Sequence, residues 1–301
     1  MSQNLKVKID WGKFRPVEGV KFTPRDFCET IDGGQAFTWH KSENFDPSEP
    51  EYAGTFGKVL AKLRLSHDGA ALAAFPKTLD TDAAMRAVRE YLDADTDYSD
   101  MRAALAAIPD VRLRRALEIY PTLRILRQNP REALICFICS SSKRIVQIKQ
   151  CVRLLSEKLG EEICGGYHAI PDFPKIAEAD DAVLASCKLG FRAAYLKKSS
   201  AKIGSDKFDA MSLRTLDYDN AKAYLTSLSG VGDKVADCIL LFGASRFEAF
   251  PVDTWIRKAM DSMYSTGENA KKIRSFAAER FGSGAGFAQQ LIFAAIRNGH
   301  I

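Results

Sequence analysis

The chain contains no apolar run long enough to span a bilayer and no basic–apolar leader, so neither a membrane helix nor a secretory signal is expected. Its seven cysteines are odd in number and show no disulfide framework, which fits a reducing compartment: the cytoplasm (nucleoid-associated) of a bacterium or the nucleus of a eukaryote. Cys136 and Cys139 form a C-x-x-C, but a second pair at zinc-like spacing is missing and both lie inside the apolar run Ala133–Cys139. They are expected in the core, with no structural metal. No cysteine follows Cys238, which excludes a C-terminal iron–sulfur cluster. Internal repeats, low-complexity linkers and the strand–helix alternation of a parallel sheet are absent too.

What is present is 301 residues, 46% of them hydrophobic, enough for two packed domains. The net charge of +5 is modest but unevenly spread. Residues 121–160 hold eight Lys/Arg against two Glu, and residues 186–207 hold six against one Asp, whereas residues 80–100 are acidic. Such basic stretches suit a polyanion, although a solvated helical face has the same composition.

The first third reads as short strands: Gln35–His40 alternates apolar and polar residues, and Glu51–Gly57, Lys58–Leu65 and Ala70–Phe75 are separated by Gly and Asp. From about residue 79 the period becomes helical. Helices are expected over 83–92, 131–141, 144–159, 192–203, 217–227, 233–243, 253–264, 268–281 and 286–297. The expected fold class is α+β: an N-terminal antiparallel β-sheet domain with a few helices over residues 1–115, then an all-α domain over 116–301.

Chemistry concentrates in Leu228-Ser-Gly-Val-Gly-Asp-Lys-Val-Ala-Asp-Cys238. A helix, a tight Gly230-Val231-Gly232 turn and a second helix make a helix–hairpin–helix over about 217–243. The free N–H groups at the second helix's start suit a phosphate; an ordinary packing corner is the alternative. Lys234 lies in that first turn, where the helix dipole disfavours a second positive charge. Burial acts in the same direction, and only the neutral amine is a nucleophile. An exposed lysine or a phosphate contact is the plainer reading. Cys238, at i+4, reads as core from spacing alone. Asp253, in Pro251-Val-Asp-Thr-Trp, reads as a helix N-cap, and acquires chemistry only if this cap and the hairpin converge on one cleft.

These residues, with Gly34-Gln-Ala-Phe-Thr-Trp39, Gln128-Asn-Pro130, Phe137-Ile-Cys-Ser-Ser141, Phe173-Pro174, Lys188-Leu-Gly-Phe-Arg-Ala-Ala-Tyr195 and Gly286-Phe-Ala-Gln289, occur in order over most of the chain. Together they resemble the 8-oxoguanine DNA glycosylase/AP lyases of the helix–hairpin–helix superfamily. The hairpin alone points to the superfamily; Lys234 with Cys238, Gln289 and Phe293 points to the oxoguanine branch. The resemblance implies a monomer acting on double-stranded DNA that contains 8-oxoguanine, with base flipping. It makes Lys234 the Schiff-base nucleophile and Asp253 its electrostatic partner. The Gly34 carbonyl would read the N7 proton of the oxidised base, Gln289 its Watson–Crick edge, and Cys238, Phe293 and Phe242 would hold the ring. Read without the resemblance, Gln289 is a helix-surface amide and Phe293 a core aromatic. Gly230, Val231, Gly232, Ser142, Gln147, Phe191 and Arg192 would contact DNA. No cofactor is implied beyond a monovalent cation at the hairpin carbonyls.

Several positions depart from the eukaryotic pattern. Ser142 replaces a gap-filling asparagine, Gln147 an arginine that reads the opposite cytosine, Phe191 a wedge tyrosine, and Thr254-Trp255 a phosphate-binding histidine. They put the opposite-base preference in doubt. The competing readings are a glycosylase for another damaged base and a non-catalytic DNA-binding module. An alkylated-base glycosylase would share the hairpin and the aspartate but lack Lys234.

Overall fold

The computed structural model describes residues 8–301; the first seven residues of the expected N-terminal domain lie outside the described residues. Five antiparallel strands form one sheet: β1 (Arg15–Lys21), β2 (Trp39–Lys41), β3 (Glu51–Phe56), β4 (Val59–Leu65) and β5 (Ala70–Ala74), in the order β1-β5-β4-β3-β2. The sequence reading missed β1. Its buried residues, Val17 and Val20, are three apart because the strand shifts register between Pro16 and Lys21, so the period of two is broken. Conversely, the alternation from Gln35 does not make a strand until Trp39. Gln35 turns inward, and its amide donates to the Arg124 carbonyl (2.9 Å) and accepts from the Leu126 N–H (2.8 Å).

Two helices cover the sheet. Pro24–Asp32 contributes Phe27 and Ile31 to the core, and Thr81–Tyr91 contributes Ala84, Val88 and Tyr91. The first is capped by the Thr23 hydroxyl and opens on a proline, as a sharp helix start requires. The Trp39 ring stacks on Phe56 and its indole N–H donates to the Tyr91 hydroxyl (2.9 Å), which satisfies the one polar handle of this indole.

The remaining helices share a second core, which takes in Tyr98, Leu105, Leu113 and Ala116. The expected boundary at 115 therefore falls inside the helix Val111–Ile119, and the apolar clusters interleave along the chain, with Phe37 in the helical core and Leu126 in that of the sheet. At the centre of this core lie Pro130–Ser140 and Asp233–Ala244, both buried along nearly their whole length. Gly243 lets them approach, since a methyl group there would come within 2.8 Å of the Ala133 side chain. Cys136 and Cys139 are packing groups of this first helix. Among the described residues no helix is long and apolar enough to cross a membrane.

Candidate active site

The hairpin runs from the helix Tyr218–Thr226 through Gly230 to Asp233–Ala244. Gly230 has φ +79°, and the Tyr195 ring presses against it so closely that a Cβ would sit 2.6 Å from that ring. Only glycine fits. The Ser199 hydroxyl fixes the same turn by donating to the Ser229 carbonyl (2.8 Å). Val231 is buried, while Gly232 is exposed and serves as N-cap without any side-chain cap. The first N–H groups of a twelve-residue helix are therefore left open at the surface.

Lys234 is half-buried in this first turn, its ammonium 5.8 Å from the centre of the Phe137 ring. The two carboxylates nearest in sequence are already engaged: Asp233 by Arg274 (2.7 Å) and the fully buried Asp237 by Lys222 (2.8 Å) and the Tyr218 hydroxyl (2.6 Å). Asp253 caps Thr254–Tyr264, accepting from the Ile256 N–H (2.8 Å). Its plainer reading as a cap therefore holds. Both Lys234 and Asp253 bear on the Cys238 thiol. Burial pushes that thiol up to about 11, with Lys234 pulling it down and Asp237 and Asp253 pushing it up. Cys238 is thus a neutral thiol at physiological pH, a polarisable face rather than a charge.

Beneath the amine lies an aromatic stack. Phe242 packs parallel to Phe137 (5.6 Å, 19°), and Phe37 meets Phe137 edge-on (5.4 Å). Nothing in the spacing of Phe37 and Phe137 marks them as neighbours of Lys234.

The Asp253 loop and the last helix, Ala285–Arg297, are joined at two points. The Gly286 N–H donates to the Phe247 carbonyl (2.6 Å), and the Gln289 side chain donates to the Pro251 carbonyl (3.3 Å). Gln289 is 5% exposed and is no helix-surface amide; its other polar atom, Oε1, is buried without a partner. A buried orphan acceptor is costly unless a donor arrives. Phe293, one turn on, is half-buried rather than sealed in the core.

Gly34 has φ +103° and faces Ile145, whose Cδ1 would be 3.1 Å from a Cβ there. No donor of the described residues bonds its carbonyl. The turn is tied to the helix Asp233–Ala244 by a relay. The Gln128 side chain donates to the Gln35 carbonyl (2.7 Å), and the Gln128 N–H donates to the Phe242 carbonyl (3.0 Å). Nothing in the spacing of Gln128 marks it for this role.

Ser142 (φ +52°), Gln147 and Phe191 are exposed, Phe191 by 57%. Gln147 is partly committed, its side chain accepting from the Arg144 N–H (3.0 Å). Arg192 does not face outward. It is 5% exposed, its guanidinium donating to the carbonyls of Ser141 and Leu189 and lying 4.1 Å from the Phe191 ring. A planar five-donor group at the end of Pro130–Ser140 satisfies free carbonyls there. A cleft of about 1230 Å³ lies between the sheet edge and Ile145–Leu159, lined by His40, Glu51, Arg153 and His168, and holds neither Lys234 nor Asp253. The candidate site is defined by helix termini and paired charges.

The family described as 8-oxoguanine DNA glycosylase, N-terminal domain, matches residues 20–134. The N-glycosylase/DNA lyase OGG1 of Arabidopsis thaliana is 30% identical over 282 residues, covering 88% of this chain and 76% of that protein. The apo-form of Clostridium acetobutylicum 8-oxoguanine glycosylase/lyase superposes with a TM-score of 0.82 at 34% identity, over 95% of this chain and 98% of that one. The same enzyme in complex with double-stranded DNA containing cytosine opposite 8-oxoG gives 0.82 at 32% identity, over 97% and 100%. By fold, site and sequence the chain belongs to the 8-oxoguanine DNA glycosylase/AP lyase family and is a DNA glycosylase with lyase activity.

Proposed function

We propose that the chain excises 8-oxoguanine from duplex DNA and nicks the strand through a Schiff base on Lys234. The observation that carries this reading is the placement of Lys234: an amine at an open helix start, above an aromatic stack and beside a buried thiol, whose adjacent carboxylates are paired with other cations. Asp253 is left as the acid whose field it shares.

The steps follow from that arrangement. The damaged nucleotide is extruded into the protein. As the glycosidic bond breaks, its electron pair leaves with the base, and the Asp253 carboxylate stabilises the positive charge on the sugar. The neutral Lys234 amine forms a bond to C1′ and loses a proton. Ring opening gives the Schiff base, and loss of a C2′ proton expels the 3′ phosphate by β-elimination.

Recognition rests on one chemical difference: oxidation at C8 puts a proton on N7, turning an acceptor into a donor. The free Gly34 carbonyl suits that donor, and the orphan Gln289 Oε1 suits the N–H groups of the Watson–Crick edge. A buried hydrogen bond lost on meeting ordinary guanine costs about 1–3 kcal/mol, enough to discriminate. Cys238 and Phe293 would bracket the ring, with Phe242 below. The Gly230–Gly232 turn, open at Gly232, would hold a phosphate, while Ser142, Gln147 and Phe191 would meet the opposite strand; Arg192 would have to leave the Ser141 carbonyl to join them.

Borohydride trapping on DNA carrying one 8-oxoguanine tests this. The wild type should leave a covalent adduct, and Lys234→Gln none, while DNA binding by the variant persists because the hairpin N–H groups remain. An adduct formed equally by the variant would remove Lys234 from the mechanism.

A further inference from the structure

Arg297, the last residue of Ala285–Arg297, touches both walls of the proposed base pocket at once. One guanidinium nitrogen donates to the Gly33 carbonyl (2.6 Å) and another to the Glu29 carboxylate (2.6 Å). The guanidinium carbon lies 5.5 Å from the centre of the Phe293 ring. Glu29 is 4% exposed, and the Asn298 amide braces the same carboxylate oxygen (3.2 Å) while also donating to the Tyr120 hydroxyl (2.9 Å).

Gly33 is therefore held at both of its peptide groups by one residue. Its N–H donates to the Glu29 carbonyl (2.9 Å), and its carbonyl is held by Arg297, which the Glu29 side chain holds in turn. Nothing larger than glycine fits, for a Cβ would lie 2.1 Å from the Glu29 carbonyl oxygen. The Gly33 carbonyl lies in the same rigid plane as the Gly34 N–H. Fixing that plane fixes the starting direction of the Gly34 backbone, and with it the aim of the Gly34 carbonyl. The same guanidinium packs on Phe293, so it also sets the distance between the acceptor that reads N7 and the ring that stacks on the base.

We infer that Glu29 and Arg297 are positioning residues for recognition of the oxidised base, an ion-paired clamp that registers the Gly33–Gly34 turn against Phe293. The inference rests on the reading of Gly34 given above. It requires a two-pronged planar donor, so lysine would keep one contact and lose the other.

Two activities separate this role from a purely structural one. Excision of 8-oxoguanine needs base recognition; nicking at a preformed abasic site needs only Lys234 and the sugar. Arg297→Ala should lower single-turnover excision about 10- to 100-fold, the cost expected of a small misplacement in a recognition site. Abasic-site nicking should stay within about threefold of wild type. Glu29→Gln, which weakens the clamp without emptying its place, should fall between wild type and Arg297→Ala, and Arg297→Lys should recover only part of the loss. Equal losses in both activities would make the pair a structural anchor and overturn the inference, as would unchanged excision. If Arg297→Ala does not fold, Arg297→Lys is read by the same two assays. The underlying reading of Gly34 is checked separately with the wild type on 7-methyl-8-oxoguanine, which lacks the N7 proton. Excision as fast as that of 8-oxoguanine would remove Gly34 as reader, whatever the clamp variants do.

Discussion

Lys234 and Asp253 both stand at helix starts, the first without a side-chain cap and the second itself the cap, and each residue's immediate neighbours set its surroundings. Gly34 stands in a turn whose neighbours are tied down from far along the chain: Gln35 to Arg124 and Leu126, Gln128 back to Gln35, and Arg297 to Gly33. On the first side the backbone is left unsatisfied and offers itself to a ligand. On the second, the Gln35, Gln128 and Arg297 side chains are spent on partners within the protein, while the Gly34 carbonyl is left free. Open helix ends suit a charge that must be met, whether phosphate or cationic sugar. A saturated turn suits an acceptor that must not move, because discrimination by one hydrogen bond fails if the loop can adjust to the wrong base.

The sharpest way to break this comparison is Asp253→Asn. Asparagine caps a helix as well as aspartate does, so the fold should lose less than about 0.5 kcal/mol. The negative charge is removed, and base release should slow by about 10²–10³-fold. Single-turnover excision and denaturant midpoints, measured on one preparation, give both numbers. Near-normal turnover would reduce Asp253 to a cap and leave the hairpin side without its acid.

The converse change is Gln35→Ala on the recognition side. This amide is fully buried and makes two hydrogen bonds to the 124–126 backbone, which would be left without partners. A loss of about 2–4 kcal/mol in stability is expected from denaturant unfolding. Excision should fall further than abasic-site nicking. A variant as stable as wild type would mean that the turn is not held by its side chains, and the contrast between the two sides would vanish.

The same contrast explains what could be read from the sequence. Hairpin, lysine and cap were legible because turn glycines, helix starts and caps are written in adjacent residues. Asp253 was legible as a cap and acquired its other role only through resemblance. Gln35, Gln128, Phe137 and Arg297 were opaque for a physical reason. Their partners lie far away in sequence, as with Arg297 and Gly33, and no local period encodes a contact between the last helix and the first. The strand β1 was hidden by its own bulge, and the alternation from Gln35 misled because a buried glutamine was serving the backbone instead of facing solvent. The direction of Arg192 was not legible either, since the Ser141 carbonyl that captures it is exposed by the end of a different helix.

Arg192 leads to the smallest effect and the finest test of the comparison. If saturation inside the protein is what makes a polar group selective, then an arginine already satisfied by Ser141 and Leu189 is a poor reader of the opposite strand unless it gives up those bonds. Gln147, the other position proposed to meet that strand, spends its carbonyl on the Arg144 N–H and so cannot make a bidentate contact with a base edge while that bond lasts. Excision rates of 8-oxoguanine opposite C, A, G and T should therefore differ by less than about fivefold, below the range of one good bidentate contact. Gln147→Arg should widen that spread in favour of cytosine by about the same factor while leaving abasic-site nicking unchanged. A steep preference for cytosine in the wild type would show that Arg192 is released from the Ser141 carbonyl on binding DNA, placing it with the open, ligand-seeking groups of the hairpin rather than with the saturated groups around Gly34.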